Sequence, residues 1–260
     1  MVRRAAARGA QIICLPELYR TFYFPQYEKC DAEAFAETIP GESTEVFAGI
    51  AKELHVSIIV PVYEKAGDKL FNSAAVIDSR GELLATYRKT HIPQDPLFYE
   101  QNYFTPSTEG YRVYKTDCAT FAVLICYDQW FPEAARMATL AGAEVIFYPT
   151  AIGTIIGHRS KDGDWHDAWE TVMRGHAIAN AVHVVAVNRV GREGRLRFWG
   201  QSFACNSFGK VLKRASVTAE EILIARLDLS HNDRIREGWG FLRNRRPETY
   251  RAGKEAAAYA

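Results

Sequence analysis

The sequence lacks the features that would place it among membrane, secreted or nucleic-acid-binding proteins. No apolar run approaches the roughly 20 residues that a membrane-spanning helix needs. Basic charge is not in excess, because 32 lysines and arginines face 31 aspartates and glutamates, and this balance argues against a nucleic-acid-binding protein. The basic start of the chain lacks the apolar middle of a signal peptide. We therefore expect a protein that binds neither nucleic acid nor membrane.

Paired cysteines are also missing. The five cysteines are an odd number and include no pair separated by two residues, so neither a disulfide framework nor a zinc site is indicated. We therefore expect a cytoplasmic protein with reduced thiols. Its cysteines are Cys14, Cys30, Cys118, Cys126 and Cys205.

The remaining composition is that of a globular chain with a sizeable core, since 48% of its 260 residues are hydrophobic. Helical patterns cover residues 44–54, 132–141 and 165–181. Two β-hairpins are predicted at 72–89 and 205–214. Short apolar runs predict strands at 11–15, 56–62, 72–78, 83–87, 120–126, 145–148, 183–188, 202–206, 211–214 and 222–227. We predict one α/β domain with mixed sheets over residues 1–250, followed by a tail at 251–260.

The strongest local signal surrounds Cys126, in the segment TFAVLICYDQWFPE (120–133). A buried strand ends on this cysteine, and a helix begins at Pro132. Such a corner places the thiol near backbone N–H groups and a positive helix end, which favours the thiolate and stabilises a neighbouring oxyanion. The alternative is that Cys126 is a small buried hydrophobe, as most free cysteines are.

Two further segments place charged groups at strand ends. In IICLPEL the apolar strand is followed by Glu17, and a carboxylate at a half-buried sheet edge is suited to act as a general base. In YRKTHIP a strand is followed by Lys89, which is suited to stabilise a developing negative charge. Taken singly, each residue is more often a solvated residue in a loop or at a strand end than a catalytic one.

Taken in order, the segments LPE, YRKTHIP and LICYDQWFPE resemble the three catalytic motifs of the nitrilase (carbon–nitrogen hydrolase) superfamily. The resemblance covers residues 9–250 and implies a four-layer αββα sandwich. It implies that Glu17 is the general base, Lys89 the stabiliser of the tetrahedral intermediate and Cys126 the nucleophile. It also implies a supporting role for Glu100, in FYEQNYF, and an oxyanion-binding role for the backbone N–H of Tyr127.

Finer signals resemble the N-carbamoylputrescine amidohydrolase branch, in segments 128–136, 147–153 and 173–180. This resemblance implies hydrolysis of N-carbamoylputrescine to putrescine, carbon dioxide and ammonia through a thioester-type enzyme intermediate. It implies no metal or organic cofactor, a small-molecule substrate and a homo-oligomer, for which the apolar residues 239–242 would suit a subunit contact.

The chain departs from the family pattern in two places that bear on structure. Only residues 2–8 precede the first matching segment, so we expect the first strand of one sheet to be missing. Residues 155–164 differ from the acidic loop expected there, and this loop would shape the substrate entrance.

A substrate with an ammonium group at the end of a short alkyl chain needs an apolar pocket for the chain and an acidic side chain that binds the ammonium group. The aromatic candidates are Trp130, Phe131, Tyr148 and Tyr99, of which Trp130 is the predicted binding residue. The acidic candidates are Asp128, Asp95 and Glu133. An amidase or N-carbamoyl amino acid hydrolase would instead bind a carboxylate, through a cation such as Arg136, Arg159, Arg174 or Lys161.

Two readings of other kinds stay open at this stage. One is a metal-dependent amidohydrolase that uses His158, Asp162, Asp164, His166 and Asp167, although this cluster matches neither HExxH nor an EF-hand loop. The other is a folded scaffold or interaction protein without catalytic activity.

Overall fold

A computed structural model describes residues 1–158 and 160–250, so the predicted tail at 251–260 lies outside the described residues. The helices are α1 (Val2–Ala7), α2 (Glu42–Leu54), α3 (Pro132–Leu140), α4 (Trp165–Asn180) and α5 (Ser230–Trp239). The strands are β1 (Ile12–Cys14), β2 (Ser57–Ala66), β3 (Lys69–Ile77), β4 (Leu83–Arg88), β5 (Val113–Lys115), β6 (Thr120–Val123), β7 (Val145–Thr150), β8 (Gly153–Ile155), β9 (His183–Asn188), β10 (Val190–Glu193), β11 (Leu196–Trp199), β12 (Phe203–Cys205) and β13 (Val211–Arg214).

The first sheet has the strand order β1-β2-β3-β4. β1 pairs with β2 in parallel, and the β2–β3 and β3–β4 pairs are antiparallel, which confirms the predicted hairpin at 72–89. Helices α1 and α2 pack against one face through apolar residues such as Ala5 and Ala51. β1 forms an edge of this sheet, and α1 precedes it in the chain.

The second sheet has the order β13-β12-β9-β7-β6-β5. Its centre, β6-β7-β9, is parallel, and its outer pairs are antiparallel, including the predicted hairpin at 205–214. α3 and α4 contact each other, and α4 packs on β9. The largest core cluster combines residues from both sheets, such as Val76 of β3 and Phe121 of β6. The layers are therefore helix, sheet, sheet and helix, and the predicted αββα sandwich is confirmed.

A small third sheet, β10-β11-β8, lies beside these layers. It was not predicted, because its strands are three or four residues long and mix glycine and arginine with apolar residues. β5 and α5 were also missed. The predicted strand at 222–227 is wrong: these apolar residues are irregular, because no neighbouring backbone pairs with them among the described residues.

No helix in the described part of the chain has both the length and the apolar character needed to cross a membrane.

Candidate active site

Three predicted catalytic residues meet between the two sheets. Glu17 follows β1, Lys89 follows β4 directly and Cys126 lies three residues beyond β6. Glu17 has no exposed surface, and Lys89 and Cys126 are also buried. The nitrogen Nζ of Lys89 lies 2.9 Å from Oε1 of Glu17. The fold therefore gathers an acid, a cation and a thiol from two sheets into one buried cluster.

The two oxygens of Glu17 have different surroundings. Oε1 accepts hydrogen bonds from Nζ of Lys89 and, at 2.7 Å, from Nδ2 of Asn72 on β3. Oε2 is buried and has no hydrogen-bond partner among the described residues. A carboxylate oxygen without a donor in a buried site retains its capacity to accept a proton. Glu17 is thus held through one oxygen and available through the other.

Glu100 completes the surroundings of Lys89. Its Oε2 lies 2.5 Å from Nζ of Lys89, and its Oε1 accepts a hydrogen bond of 2.7 Å from the hydroxyl of Tyr23. Burial alone would lower the pKa of Lys89, but the carboxylates of Glu100 and Glu17 outweigh this and raise it. Burial raises the pKa of Glu100 to about 7, against the opposing influence of Lys89. Lys89 therefore stays charged, although it is completely enclosed.

The backbone at Cys126 is strained. This residue has φ of 43°, in the left-handed region, and begins a 3₁₀ helix (Cys126–Trp130) that leads into α3. A non-glycine residue in that region costs on the order of 1–3 kcal/mol and persists only where its surroundings enforce it. The following N–H, that of Tyr127, belongs to the first turn of a helix, where N–H groups lack partners within the helix. The turn between β6 and this 3₁₀ helix therefore places the thiol of Cys126 beside the backbone N–H of Tyr127.

The expectation that this corner favours the thiolate is wrong. Burial, and then the negative charge of Glu17, raise the pKa of Cys126 well above its usual value, and Lys89 only partly opposes them. The helix end favours the thiolate, but complete burial next to a carboxylate outweighs this influence. The thiol is consequently protonated at rest and needs a base before it can attack.

A cavity of about 720 Å³ opens onto Cys126. Its wall is mostly apolar and aromatic and includes Tyr99, Trp130, Leu97, Phe98, Ile152, Ile155 and Trp165. The charged side chains that line it among the described residues are Asp95, Glu100 and Arg195. Because Glu100 is bound to Lys89, Asp95 and Arg195 are the charges left for a ligand.

Some of the predicted substrate-binding residues line the cavity, and others do not. Trp130 and Asp95 line the cavity as expected. Asp128 is fully buried and surrounded by hydrogen-bond donors, so it is not available to an ammonium group. Glu133 is exposed on α3 and does not line the cavity. Tyr148 is completely buried and also lies outside it.

The predicted carboxylate-binding cations do not line the cavity. Arg136 donates to the carbonyl oxygen of Ala179, and Arg174 to that of Gly209. Lys161 is exposed, and Arg159 lies outside the described residues. Arg195 was missed, because it stands in the short turn between β10 and β11, neither of which was predicted.

Gln129 was also missed as a binding candidate. It is fully buried and lines the cavity, and its Oε1 accepts a hydrogen bond of 2.9 Å from Nε1 of Trp169. Because an indole nitrogen only donates, this contact fixes the orientation of the amide. Its Nε2 has no partner among the described residues and is therefore a donor available to a ligand.

Two side chains of the proposed metal cluster, those of Asp164 and His166, serve other contacts. Asp164 is the N-cap of α4, and its side chain accepts hydrogen bonds from the backbone N–H groups of His166 and Asp167. The ring of His166 packs against Trp169 and Trp199. Within residues 1–158 and 160–250, no three histidine, cysteine or acidic side chains are arranged to hold a metal ion.

Comparison with known proteins gives a consistent result. The family profile described as Carbon-nitrogen hydrolase matches residues 1–237. The N-carbamoylputrescine amidase of Oryza sativa subsp. japonica is 42% identical over 260 residues, which cover 96% of this chain and 86% of the rice protein. The citrullinase of Francisella tularensis is 37% identical and aligns with 95% of this chain and 87% of its own length. The crystal structure of a carbon–nitrogen hydrolase from Helicobacter pylori G27 superposes with a TM-score of 0.90 at 38% identity, covering 96% of this chain and 88% of that one.

Proposed function

Since the chain belongs to the carbon–nitrogen hydrolase family and is an amidase, we propose that Glu17, Lys89 and Cys126 hydrolyse the ureido group of N-carbamoylputrescine. The observation that carries this proposal is the buried cluster, in which a free carboxylate oxygen and a cation adjoin a thiol at the base of a cavity. Identity to plant N-carbamoylputrescine amidases, at 41–43% over 96% of the chain, supports the choice of substrate.

In the first half of the reaction, Glu17 takes the thiol proton of Cys126 as Sγ attacks the ureido carbonyl carbon. The raised pKa of the thiol makes this base necessary. Negative charge develops on the carbonyl oxygen, where Lys89 and the N–H of Tyr127 stabilise it. The bond to the terminal nitrogen then breaks, Glu17 returns the proton, and ammonia leaves a carbamoyl group on Sγ.

In the second half, Glu17 accepts a proton from water, and the resulting hydroxide attacks the carbonyl carbon of the thioester-type intermediate. Collapse breaks the carbon–sulfur bond, and Glu17 returns the proton to the departing thiolate, which restores the thiol of Cys126. The released carbamate decomposes to putrescine and carbon dioxide. The atoms balance with water as the only co-reactant, so the scheme needs no metal or organic cofactor.

The lining of the cavity matches the rest of this substrate. A four-carbon chain fits against Trp130 and Ile152, and aromatic faces also favour a nearby cation. Asp95 is the acid we assign to the terminal ammonium group, since it lines the cavity and forms no ion pair among the described residues. The hydrogen-bonded Asp128 cannot serve this purpose.

Arg195 favours a second candidate, a ureido amino acid such as citrulline. Citrulline shares the ureido group, the alkyl chain and the ammonium group, and adds a carboxylate. Arg195 and Nε2 of Gln129 are donors in the cavity that match such a carboxylate. The 37% identity to a citrullinase agrees with this alternative.

Ammonia release from N-carbamoylputrescine, citrulline and 4-ureidobutyrate tests the proposal. We expect the highest kcat/KM for N-carbamoylputrescine and no turnover in Cys126→Ser. Asp95→Asn should raise KM for this substrate about tenfold or more, the loss of one charged hydrogen bond, while Arg195→Gln should not. A preference for citrulline that depends on Arg195 would replace the proposed substrate with the second candidate. No turnover together with a thiol inert to iodoacetamide would indicate the scaffold.

We also propose that the protein forms a homo-oligomer. Phe208 and Trp239 are 42% and 58% exposed and pack against each other at 5.3 Å, and Phe241 extends this apolar patch. Exposed aromatic clusters of this kind are typical of subunit contacts. Light scattering should give a mass above one chain, and Trp239→Glu should reduce it; a monomeric mass for the unaltered protein would contradict the proposal.

The five free cysteines suit a reducing cytoplasm.

A further inference from the structure

Lys89 and Cys126 both lie beyond the ends of their strands. The last hydrogen bonds to neighbouring strands are those from the N–H of Lys89 to the carbonyl oxygen of Asn72 and from the N–H of Leu124 to that of Phe147, and the backbone that follows each of them lies past the ladder. β4 ends at Arg88 in the first sheet, and β6 ends at Val123 in the second. Proximity and orientation of reacting groups are worth large rate factors, so a contact that joins these two extensions bears directly on catalysis.

The carboxylate of Asp128 makes this contact. Its Oδ1 accepts a hydrogen bond of 3.0 Å from the backbone N–H of His91, in the extension of β4. Its Oδ2 accepts one of 2.9 Å from the backbone N–H of Ile125, which immediately precedes the nucleophile. The hydroxyl of Tyr87 donates to the same oxygen at 2.8 Å. Tyr87 stands two residues before Lys89, and His91 stands two residues after it. The carboxylate of Asp128 therefore accepts hydrogen bonds from the chain on both sides of this lysine.

A fourth donor comes from the imidazole of His91. Its Nδ1 lies 2.7 Å from Oδ1 of Asp128, and its ring stacks on Phe131 with 3.6 Å between centroids. An ionised carboxylate only accepts, so Nδ1 carries the proton. Asp128 has no exposed surface, and four donors offset the cost of enclosing its charge.

We propose that Asp128 is a positioning residue that fixes Lys89 relative to Cys126 across the two sheets. It acts through the backbone on either side of these residues and is not a substrate-binding acid. The proposal rests on the proposed function only in that these two residues act together.

Asp128→Asn tests this because asparagine keeps the shape but has a single acceptor oxygen. In either orientation of the amide, its NH₂ group faces the backbone N–H of His91 or that of Ile125. Because two donors cannot bond each other, one of these two hydrogen bonds is lost. Asp78→Asn is the matched control. Asp78 is also buried and lies in the turn between β3 and β4, away from the cavity. Its Oδ1 accepts from two backbone N–H groups, both at 2.9 Å, which an amide oxygen can retain, whereas its Oδ2 accepts from Nε of Arg80 at 2.9 Å, and this contact is lost in the asparagine variant.

Three quantities are measured below the unfolding temperature: kcat, KM and the rate of alkylation of Cys126 by iodoacetamide. We expect Asp128→Asn to lower kcat and the alkylation rate roughly 100-fold, the scale of a misplacement of about 1 Å, with KM little changed. Asp78→Asn should lower Tm and leave both rates intact. Wild-type rates in Asp128→Asn, or equal losses in Asp78→Asn, would overturn the proposal.

Tyr87→Phe provides the test should Asp128→Asn not fold. It removes one donor and retains the ring, so kcat and alkylation should fall roughly fivefold, the equivalent of one hydrogen bond. Unchanged rates in this variant would contradict the proposal. Because alkylation requires no substrate, failure of the protein to hydrolyse N-carbamoylputrescine would refute the substrate assignment and leave the order of alkylation rates to decide the role of Asp128.

Discussion

Replacement of Glu100 by glutamine should change how stability depends on pH. Burial raises the pKa of this carboxyl to about 7, whereas glutamate in an unfolded chain has a value of about 4.3. Between these two values the native state binds a proton that the unfolded state has already released. The free energy of unfolding of the wild type therefore falls as pH rises through this window and levels off above it. Glutamine does not titrate, so the variant lacks this loss.

The size of the effect follows from the difference between the two pKa values. Each unit is worth 1.36 kcal/mol, so a difference of between two and three units amounts to about 3–4 kcal/mol. Glu100 has no exposed surface, so solvent does not screen this contribution. Loss of the contact with Lys89 adds a constant, because the raised pKa of that lysine keeps it charged throughout the window.

Urea unfolding at about pH 5, 6, 7 and 8 measures this difference. The variant should gain about 2–3 kcal/mol relative to the wild type between the lowest and highest pH, because pH 5 already lies above the lower end of the window. Tyr23→Phe is the control, because it removes a hydrogen bond that lowers the pKa of Glu100 but retains the carboxyl group, so the wild-type slope should persist or steepen. Parallel stability curves for the wild type and Glu100→Gln would refute the reasoning.

Three other predictions follow from the site and its frame. The value of kcat/KM should rise to a plateau above a pH of about 7, where Glu100 loses its proton, and this limb should be absent in Glu100→Gln, because glutamine does not titrate. Gly153→Ala should lower Tm and raise KM, because a Cβ there would lie 2.2 Å from a carbonyl oxygen of β11 at the cavity wall, whereas Gly175→Ala in α4 meets no neighbour and should be neutral or stabilising. Asp164→Ala should cost about 1 kcal/mol in urea unfolding, since it removes the cap of α4, and Asp162→Ala should not.

Each of these has a contradicting result. A pH–rate limb that is identical in Glu100→Gln would assign it to another group. Equal thermal shifts for the two glycine variants would remove the close approach to β11 as the cause. Equal costs for the two aspartate variants would mean that the cap contributes no measurable stability.

The sequence was informative wherever a motif was local. The strand that leads to Cys126 and the start of the following helix lie within 14 residues, so the sequence predicts the strand, turn and helix order around this cysteine directly. The contact between Glu17 and Asn72 spans 55 positions, and only the pairing of β1, β2 and β3 in one sheet reveals it. The role of Asn72 was therefore missed, although an amide in a buried apolar strand was a visible signal.

The wrong predictions share a physical cause, which is that they depend on surroundings. The apolar segment 222–227 has the pattern of a strand but no paired neighbour among the described residues. The pKa of Cys126 rises because long-range packing buries it beside Glu17, whereas the local helix end alone predicts a decrease. Arg195 reaches the cavity from a turn whose strands have no clear period.

The origin of the proposed catalytic groups from both sheets has a consequence for folding. The first sheet supplies Glu17 and Lys89, the proposed base and cation, and the second supplies Cys126, the proposed nucleophile. Neither sheet, formed alone, contains a competent site. During refolding, secondary structure should therefore return before enzymatic turnover, and the interval between the two signals measures how fast the completed sheets dock.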